Sequence, residues 1–415
     1  RGAGTHRAPG LMRFLMVTSF YPPHSFGGDA TYVRQLANAL ARQGHEVRVV
    51  YCYDAYRMSG GHVPADVAEP DGPVSVRKLA SRWGGLSPLI SQQTGRPGLK
   101  WSALNDEFNR DWDVVHFHNI SLMGGPRILC QSRAPVTLLT AHDHWLICAT
   151  HILWKNGEKA CDGRTCLRCQ LRSGKPPQLW RLGQRMARAL THVDRIFAPS
   201  DFTRRALAEQ GIAGRVAVLP NFAPAAFDAQ VSPTPYDRPG FLFVGRVTAS
   251  KGIGELVALF RQRPGYDLRV VGDGDLLEPL RAQYADLPNL HFLGRQAQLE
   301  LAGLYRSATA SILPSRAPES FGLTTIEGFS QGTPAIVRDA GGAGEVVRHA
   351  DAGFVYRDDA GCLAAMDTLA NDPARRASMG DAARAAFTAH YREETHLATY
   401  LAQIEDLRAQ KGAAT

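Results

Sequence analysis

Apolar residues fall into two alternating rhythms along this chain. Short runs such as "RFLMVTS" (13–19) and "EVRVVYC" (46–52) are continuous enough to predict strands buried on both faces. Between them, "TYVRQLANALARQG" (31–44) repeats its apolar positions at helical spacing, and Gly44 supplies a C-terminal stop. The loop "FYPPHSFGGDA" (20–30) links the first strand to that helix. Such a strand–loop–helix–strand unit opens a doubly wound parallel sheet. Further strands are predicted at "DVVHFH" (113–118), "PVTLLTA" (135–141), "RIFAPS" (195–200) and "RVAVLPN" (215–221).

The rhythm breaks at "APAAFDAQVSPTPYDRPG" (223–240), a stretch rich in Pro and Ala that reads as a linker. It resumes with strands at 241–247, 268–272, 290–294, 310–314, 334–338 and 353–356. Helices are predicted between them at 252–261, 275–285, 297–307 and 323–331. The expected fold is α/β, with two Rossmann-like, doubly wound parallel-sheet domains facing each other. We place an N-terminal domain over 13–225, the linker over 226–239 and a second domain over 240–373. Residues 374–415 predict helices that pack back on the first domain. The opening "RGAGTHRAPG" has no apolar core behind its charges, so residues 1–12 predict a disordered tail and not a secretory signal.

A length of 415 residues supports this division, being too great for one ordinary core. No uninterrupted apolar run reaches the roughly 18–20 residues that span a bilayer, so a cytoplasmic location is expected. The net charge of +8 suits anionic small molecules, anionic lipid surfaces or nucleic acid. No basic helix with interleaved aromatics and no recognition module is visible, which argues against nucleic acid. "WGGLSPLISQQTGRPGLKW" (83–101) reads as a surface loop, with a mobile acceptor- or membrane-facing loop as the other reading.

Each loop with candidate chemistry follows the carboxyl end of a strand, where open parallel sheets bind ligands. Two such sheets facing each other make a cleft. In "VGRVTASKG" (244–252), Arg246 and Lys251 precede a helix whose free amides complete a positive pocket suited to a diphosphate. In "PESFGLTTIEG" (318–328), Gly322 lets the backbone approach a ligand, and the amides of Phe321, Gly322 and Leu323 begin a helix. Glu327 lies a turn into that helix, placed to accept two hydrogen bonds from ribose hydroxyls. Glu319, before the turn, is free to face a reacting centre. His116 and His118, and His142 and His144, form two H-x-H pairs. Residues two apart share a strand face, so each pair could chelate a metal. A zinc hydrolase would need carboxylates in register, and none stands out; histidines lining an acceptor pocket are the expectation.

These two loops, "GGAGEVV" (341–347) and the N-terminal "YPPHSFGGDATYVRQLANALARQGHEVRVV" together resemble the retaining glycosyltransferases of family 4, which have the GT-B fold. The resemblance runs through nearly the whole chain from about Arg13. It implies a nucleotide-diphosphate sugar donor, UDP- or GDP-linked, and a hydroxyl acceptor on a saccharide or lipid-linked molecule. It further implies that Arg246 and Lys251 hold the diphosphate and stabilise it as leaving group. Glu327 would bind the ribose, Glu319 the transferred sugar, and His142 the donor sugar as an aid to catalysis. Gly27 and Gly28 would let the first-domain loop close on the diphosphate. Such chemistry asks for placed charge more than a strong base, so no cofactor or divalent metal is required at the reaction centre. Peripheral contact with the inner face of a membrane fits a lipid-linked acceptor. Other readings are a nucleotide-sugar 2-epimerase and a non-catalytic nucleotide-sugar-binding protein. A dinucleotide dehydrogenase fits poorly, because "GDGDLL" (272–277) lacks the third glycine.

Of seven cysteines, Cys52, Cys130 and Cys362 are isolated and expected as small apolar core residues. Cys148, Cys161, Cys166 and Cys169 form C-x12-C-x4-C-x2-C in an insertion over 148–169, which resembles a structural zinc knuckle. Reduced or redox-active thiols and an iron–sulfur cluster are the other readings. The insertion lies outside the general family pattern and directly follows His142–Trp145, where it could shape the acceptor side of the cleft.

Overall fold

The structure, a computed structural model, describes residues 10–67, 72–163, 165–224, 227 and 231–413. Strands form where the apolar runs are continuous: β1 (Arg13–Val17), β2 (Glu46–Cys52), β3 (Ser75–Leu79), β4 (Val114–Phe117) and β5 (Val136–Thr140). A short hairpin follows, β6 (Trp154–Lys155) and β7 (Lys159–Ala160), and then β8 (Arg195–Ala198) and β9 (Val216–Val218). The second half contributes β10 (Gly240–Val244), β11 (Asp267–Val271), β12 (Leu290–Gly294), β13 (Ala310–Leu313), β14 (Ala335–Arg338) and β15 (Gly353–Tyr356).

Two parallel sheets result. The first has the order β3-β2-β1-β4-β5-β8-β9 and the second β12-β11-β10-β13-β14-β15. The central strands β1, β4, β5, β10 and β13 are buried on both faces, which is why alternation is absent from their sequences. In β1, Leu15 and Val17 enter one core while Phe14 and Met16 enter the other. In β10, Leu242 and Phe243 divide in the same way between two further cores. The strand order reverses between β1 and β4, and again between β10 and β13. Loops leaving the carboxyl ends of those strands border the crevice where such sheets take ligands.

The helical stretch after residue 373 is broken. A helix Pro373–Ala386 and a wide turn Phe387–Tyr391 come first, and extended backbone at Arg392 precedes the helix Glu393–Gly412. The last helix sets Leu397, Tyr400, Ile404 and Leu407 among Phe14, Tyr32 and Leu36 of the first sheet's core. Residues 231–239 carry no strand or helix; residues 226 and 228–230 of the expected linker lie outside the described residues. So do residues 1–9 of the expected tail, whereas Met12 is buried and its amide donates to His45 Nδ1 (3.1 Å).

Two elements differ from expectation. The segment 83–101 is not a loop: it contains the helix Leu86–Thr94, closed by Gly95 with left-handed backbone, and a single turn Gly98–Lys100. The helix buries Ser87, Pro88 and Ser91 and leaves Leu86 and Leu89 outward. Its inward face is small and polar, so its sequence lacks an apolar period. The sequence also conceals β3, because Arg77 and Lys78 stand inside it. Arg77 is satisfied from beyond the sheet by Glu107, on the helix Trp101–Phe108.

Candidate functional site

The two central strands of the second sheet each end in a loop that turns into a helix. After β10, Gly245 and Arg246 lead through a single turn Ala249–Lys251 into the helix Ile253–Phe260. After β13, residues 314–322 lead into the helix Leu323–Ser330. Because β10 and β13 are neighbours, the loops meet. Lys251 Nζ donates to Glu319 Oε1 at 2.5 Å, and Ser315 Oγ donates to the same oxygen. Burial alone would raise the Glu319 carboxyl. The Lys251 cation, the two hydrogen bonds and Arg246 together hold it below the usual glutamate range. Arg246 itself is exposed.

Glu319 is further tied by backbone. Its amide donates to Ala340 O (3.0 Å), and its carbonyl accepts from Gly342 N (2.7 Å). That stitches the loop to the start of the helix Gly342–Ala350, the segment "GGAG" noted in sequence. Gly322 has φ 101°, a left-handed conformation that starts the Leu323–Ser330 helix. The start of that helix brings its N-terminal amides to the end of the β13 loop, with Thr325 N already donating to Gly322 O (3.0 Å). The Phe321 side chain is buried in the second domain's core.

Glu327 lies one turn into the helix, as expected, but apart from Glu319. Its Oε2 accepts from the Tyr305 hydroxyl at 3.2 Å. Burial pushes its carboxyl up to about 7, with the Tyr305 hydrogen bond opposing the rise. The two acids thus occupy different electrostatic settings, Glu319 held ionised and Glu327 poised near neutrality.

The first domain supplies the facing wall. Gly27 and Gly28 are exposed at the start of the helix Gly28–Arg42. A Cβ on Gly28 would stand 2.6 Å from Leu323 Cδ1, so the loop approaches the second domain closely. His142 follows β5. Its carbonyl accepts from Ser320 Oγ at 2.7 Å, a bond that crosses the cleft. Ser200 Oγ (2.6 Å) and Thr203 Oγ1 (3.0 Å) donate to the Ser320 carbonyl from the first-domain side. The imidazole of His142 is pushed down to about 4 by burial, against the opposing pull of Asp143. Its Nε2 lies 3.0 Å from His118 Nδ1. His116 and His118 do share a face, with ring centroids 4.0 Å apart. His144 is buried beside Phe202.

The hairpin β6–β7 also reaches across. Arg316 donates to the Glu158 carbonyl (3.2 Å), lies over the Trp154 ring and pairs with Glu255 (2.8 Å). The four cysteines Cys148, Cys161, Cys166 and Cys169 line one cavity behind that hairpin, with Trp154, Lys155 and Gln170. Among the described residues none of the four is in a disulfide. Asn156 N donates to Cys169 Sγ at 3.2 Å. Among the described residues no group of three or more His, Cys, Asp or Glu is placed to hold a metal ion. Of the isolated cysteines, Cys52 and Cys362 are buried and Cys130 is half-buried.

Sequence spacing missed Ser315, Tyr305, Ser320 and Arg316. Ser315, Arg316 and Ser320 lie within or beside the loop already singled out, yet spacing carries no sign of which side chain reaches back or across. Tyr305 comes from a different helix, and only the packing of that helix on Leu323–Ser330 reveals it.

Two family descriptions match the chain: Glycosyltransferase Family 4 over residues 26–226 and Glycosyl transferases group 1 over residues 226–386. A glycogen synthase of Mycobacterium tuberculosis is 29% identical over 425 aligned residues, covering 97% of this chain and 96% of that protein. A D-inositol 3-phosphate glycosyltransferase of Kineococcus radiotolerans is 30% identical, covering 93% of each. Among solved structures, sucrose-phosphate synthase from Thermosynechococcus elongatus superposes with a TM-score of 0.73 at 21% identity, over 97% of this chain and 100% of that one. The Anabaena protein HepE, solved with UDP, superposes with a TM-score of 0.62 at 16% identity, over 98% of this chain and 100% of that one. The structural likenesses establish the GT-B fold.

Proposed function

Because the chain belongs to the group 1 glycosyl transferases, with the family 4 type of N-terminal half, we propose that it moves a sugar from a UDP- or GDP-linked donor to a hydroxyl of a saccharide or lipid-linked acceptor, with retention at the anomeric carbon. One observation carries this reading: Lys251 and Glu319 are joined at 2.5 Å where the loops of β10 and β13 meet, with Arg246 nearby. In the proposed reaction Arg246 and Lys251 bind the diphosphate, and the amides at Phe321, Gly322 and Leu323 face it at a helix N-terminus. Glu327 accepts hydrogen bonds from the ribose. Glu319 holds hydroxyls of the transferred sugar, and His142 contacts the same sugar from the first domain. Gly27 and Gly28 let the opposite loop come down on the diphosphate.

The bond from the anomeric carbon to the phosphate oxygen breaks, and a bond to the acceptor oxygen forms on the same face. The acceptor proton passes to the departing phosphate. Positive charge placed before the reaction stabilises that leaving group, and the proposal asks for no metal at the reaction centre. We place the reaction in the cytoplasm. A lipid-linked acceptor would be met on the face carrying Trp83, Leu86, Leu99 and Trp101, of which Trp83 is 52% and Trp101 45% exposed, with Arg82 and Arg96 alongside.

The test is a panel of UDP- and GDP-sugars with and without saccharide acceptors, some carried in anionic vesicles. The expected result is transfer with a retained anomer, with Lys251→Ala lowering kcat at least about 100-fold. Serine at Trp83 and Trp101 should lower transfer to the vesicle-borne acceptors alone. Conversion of a donor without any acceptor would instead identify an epimerase. Donor binding with no turnover under every condition would favour a non-catalytic binding protein.

A further inference from the structure

We infer that His118 fixes the tautomer of His142, so that His142 presents Nδ1–H to the cleft as a hydrogen-bond donor. This rests on the proposed role of His142 beside the transferred sugar. The two histidines leave the carboxyl ends of neighbouring strands, β4 and β5. Their rings lie edge to edge, with planes 23° apart and centroids 5.3 Å apart, and His118 Nδ1 stands 3.0 Å from His142 Nε2. Burial lowers both imidazoles far enough to keep them neutral near pH 7. Two neutral imidazoles joined by one hydrogen bond must divide the roles, one donating and one accepting.

The other nitrogen of His118 decides the division. His118 Nε2 is sealed from solvent with no hydrogen-bond partner among the described residues. A proton there would leave an N–H unsatisfied in the interior, a rarer and costlier outcome than an unused acceptor lone pair. His118 therefore carries its proton on Nδ1 and donates it to His142 Nε2. With Nε2 accepting, the single proton of neutral His142 sits on Nδ1. Among the described residues that atom has no hydrogen-bond partner, and it is absent from the atoms sealed inside. The ring thus offers the cleft a donor suited to a sugar hydroxyl or ring oxygen, and no lone pair to act as a base.

The arrangement is braced from behind. His116, whose ring centroid lies 4.0 Å from that of His118, is satisfied on both sides: Nδ1 with the Tyr400 hydroxyl (3.0 Å) and Nε2 with Thr140 Oγ1 (2.8 Å). Tyr400 belongs to the last helix, so the end of the chain packs directly against this stack. Tyr32 flanks both His118 and His142 edge-on. His118 is therefore a positioning residue, acting on the sugar through His142.

The experiment uses the full chain labelled with 15N-histidine. Two-bond proton–nitrogen correlations report which ring nitrogen is protonated, and His142→Gln assigns the signal. The wild type should show His142 as the Nδ1–H tautomer alone. His118→Leu should mix the tautomers and lower kcat about 10- to 100-fold, with donor KM within about twofold. His118→Asn, whose amide N–H replaces the lost donor, should restore the single tautomer and most of kcat. Nε2–H on wild-type His142 would overturn the inference, and so would an unchanged tautomer with unchanged kcat in His118→Leu. If His118→Leu does not fold, the wild-type and His118→Asn spectra decide. If no donor is turned over, the spectra still stand, so a failure of the transferase reading is separate from a failure of this one.

Discussion

A carboxyl that accepts hydrogen bonds from both ribose hydroxyls, one on each oxygen, does so best when ionised, and Glu327 stands at the threshold. Burial raises its carboxyl to about 7, so the fold favours the protonated form. The stabilising share of that form is present below the ordinary glutamate pKa and lost as pH rises through about 7. A donor that binds ionised Glu327 must release its proton below pH 7. Affinity for an intact nucleotide sugar should therefore weaken as pH falls from 8 to 6, by up to about tenfold per unit. Calorimetric titration checks this, and Glu327→Gln should flatten the slope. An equal slope in the variant would count against the ribose role. His142, lowered to about 4, and Glu319, held low, do not titrate in that window. At this scale the sequence exposed the residues but hid their states. Glu319 and Glu327 look alike in "PESFGLTTIEG", and it is Lys251 beside one and Tyr305 beside the other that make them different.

Elements whose charges are satisfied from elsewhere were the hardest to read. The strand β3 carries Arg77, and the neighbouring β2 carries Arg48. Both meet Glu107, whose side chain is 1% exposed. Burial would raise that carboxyl, but hydrogen bonds from Arg77 and Arg48 pull it below its ordinary value. The carboxylate thus clamps the sheet's edge strand to the helix Trp101–Phe108. Its stabilisation is present above the unfolded glutamate pKa and lost as pH falls through the lower folded value. Glu107→Gln should cost about 2 kcal/mol in urea unfolding at pH 7, reduced from a fully buried pair because the arginines are partly exposed. The cost should shrink under acid conditions, and a pH-independent difference would contradict the clamp. By contrast, the central strands β1, β4, β10 and β13 were legible, because burial on both faces demands unbroken apolar runs. The helix Leu86–Thr94 was not, since its buried face consists of Ser87, Pro88 and Ser91.

Across the whole molecule, the two parallel sheets and the loops at their switch points were readable from strand order and loop chemistry. The bonds that close one domain on the other were not. Ser320 to the His142 carbonyl, Ser200 and Thr203 to the Ser320 carbonyl, and Arg316 to the β6–β7 hairpin all join positions more than 100 residues apart. No local pattern encodes such a meeting. They hold the face that carries His142 opposite Lys251 and Glu319, which is the geometry the proposed transfer requires. The most direct measurement is a crystal structure of the protein with an intact, non-transferable nucleotide sugar. The account predicts nitrogen atoms of Arg246 and Lys251 within about 3 Å of diphosphate oxygens, with Glu327 on the ribose and Glu319 on the sugar. A donor bound elsewhere, or a diphosphate in this cleft contacted by neither cation, would contradict it.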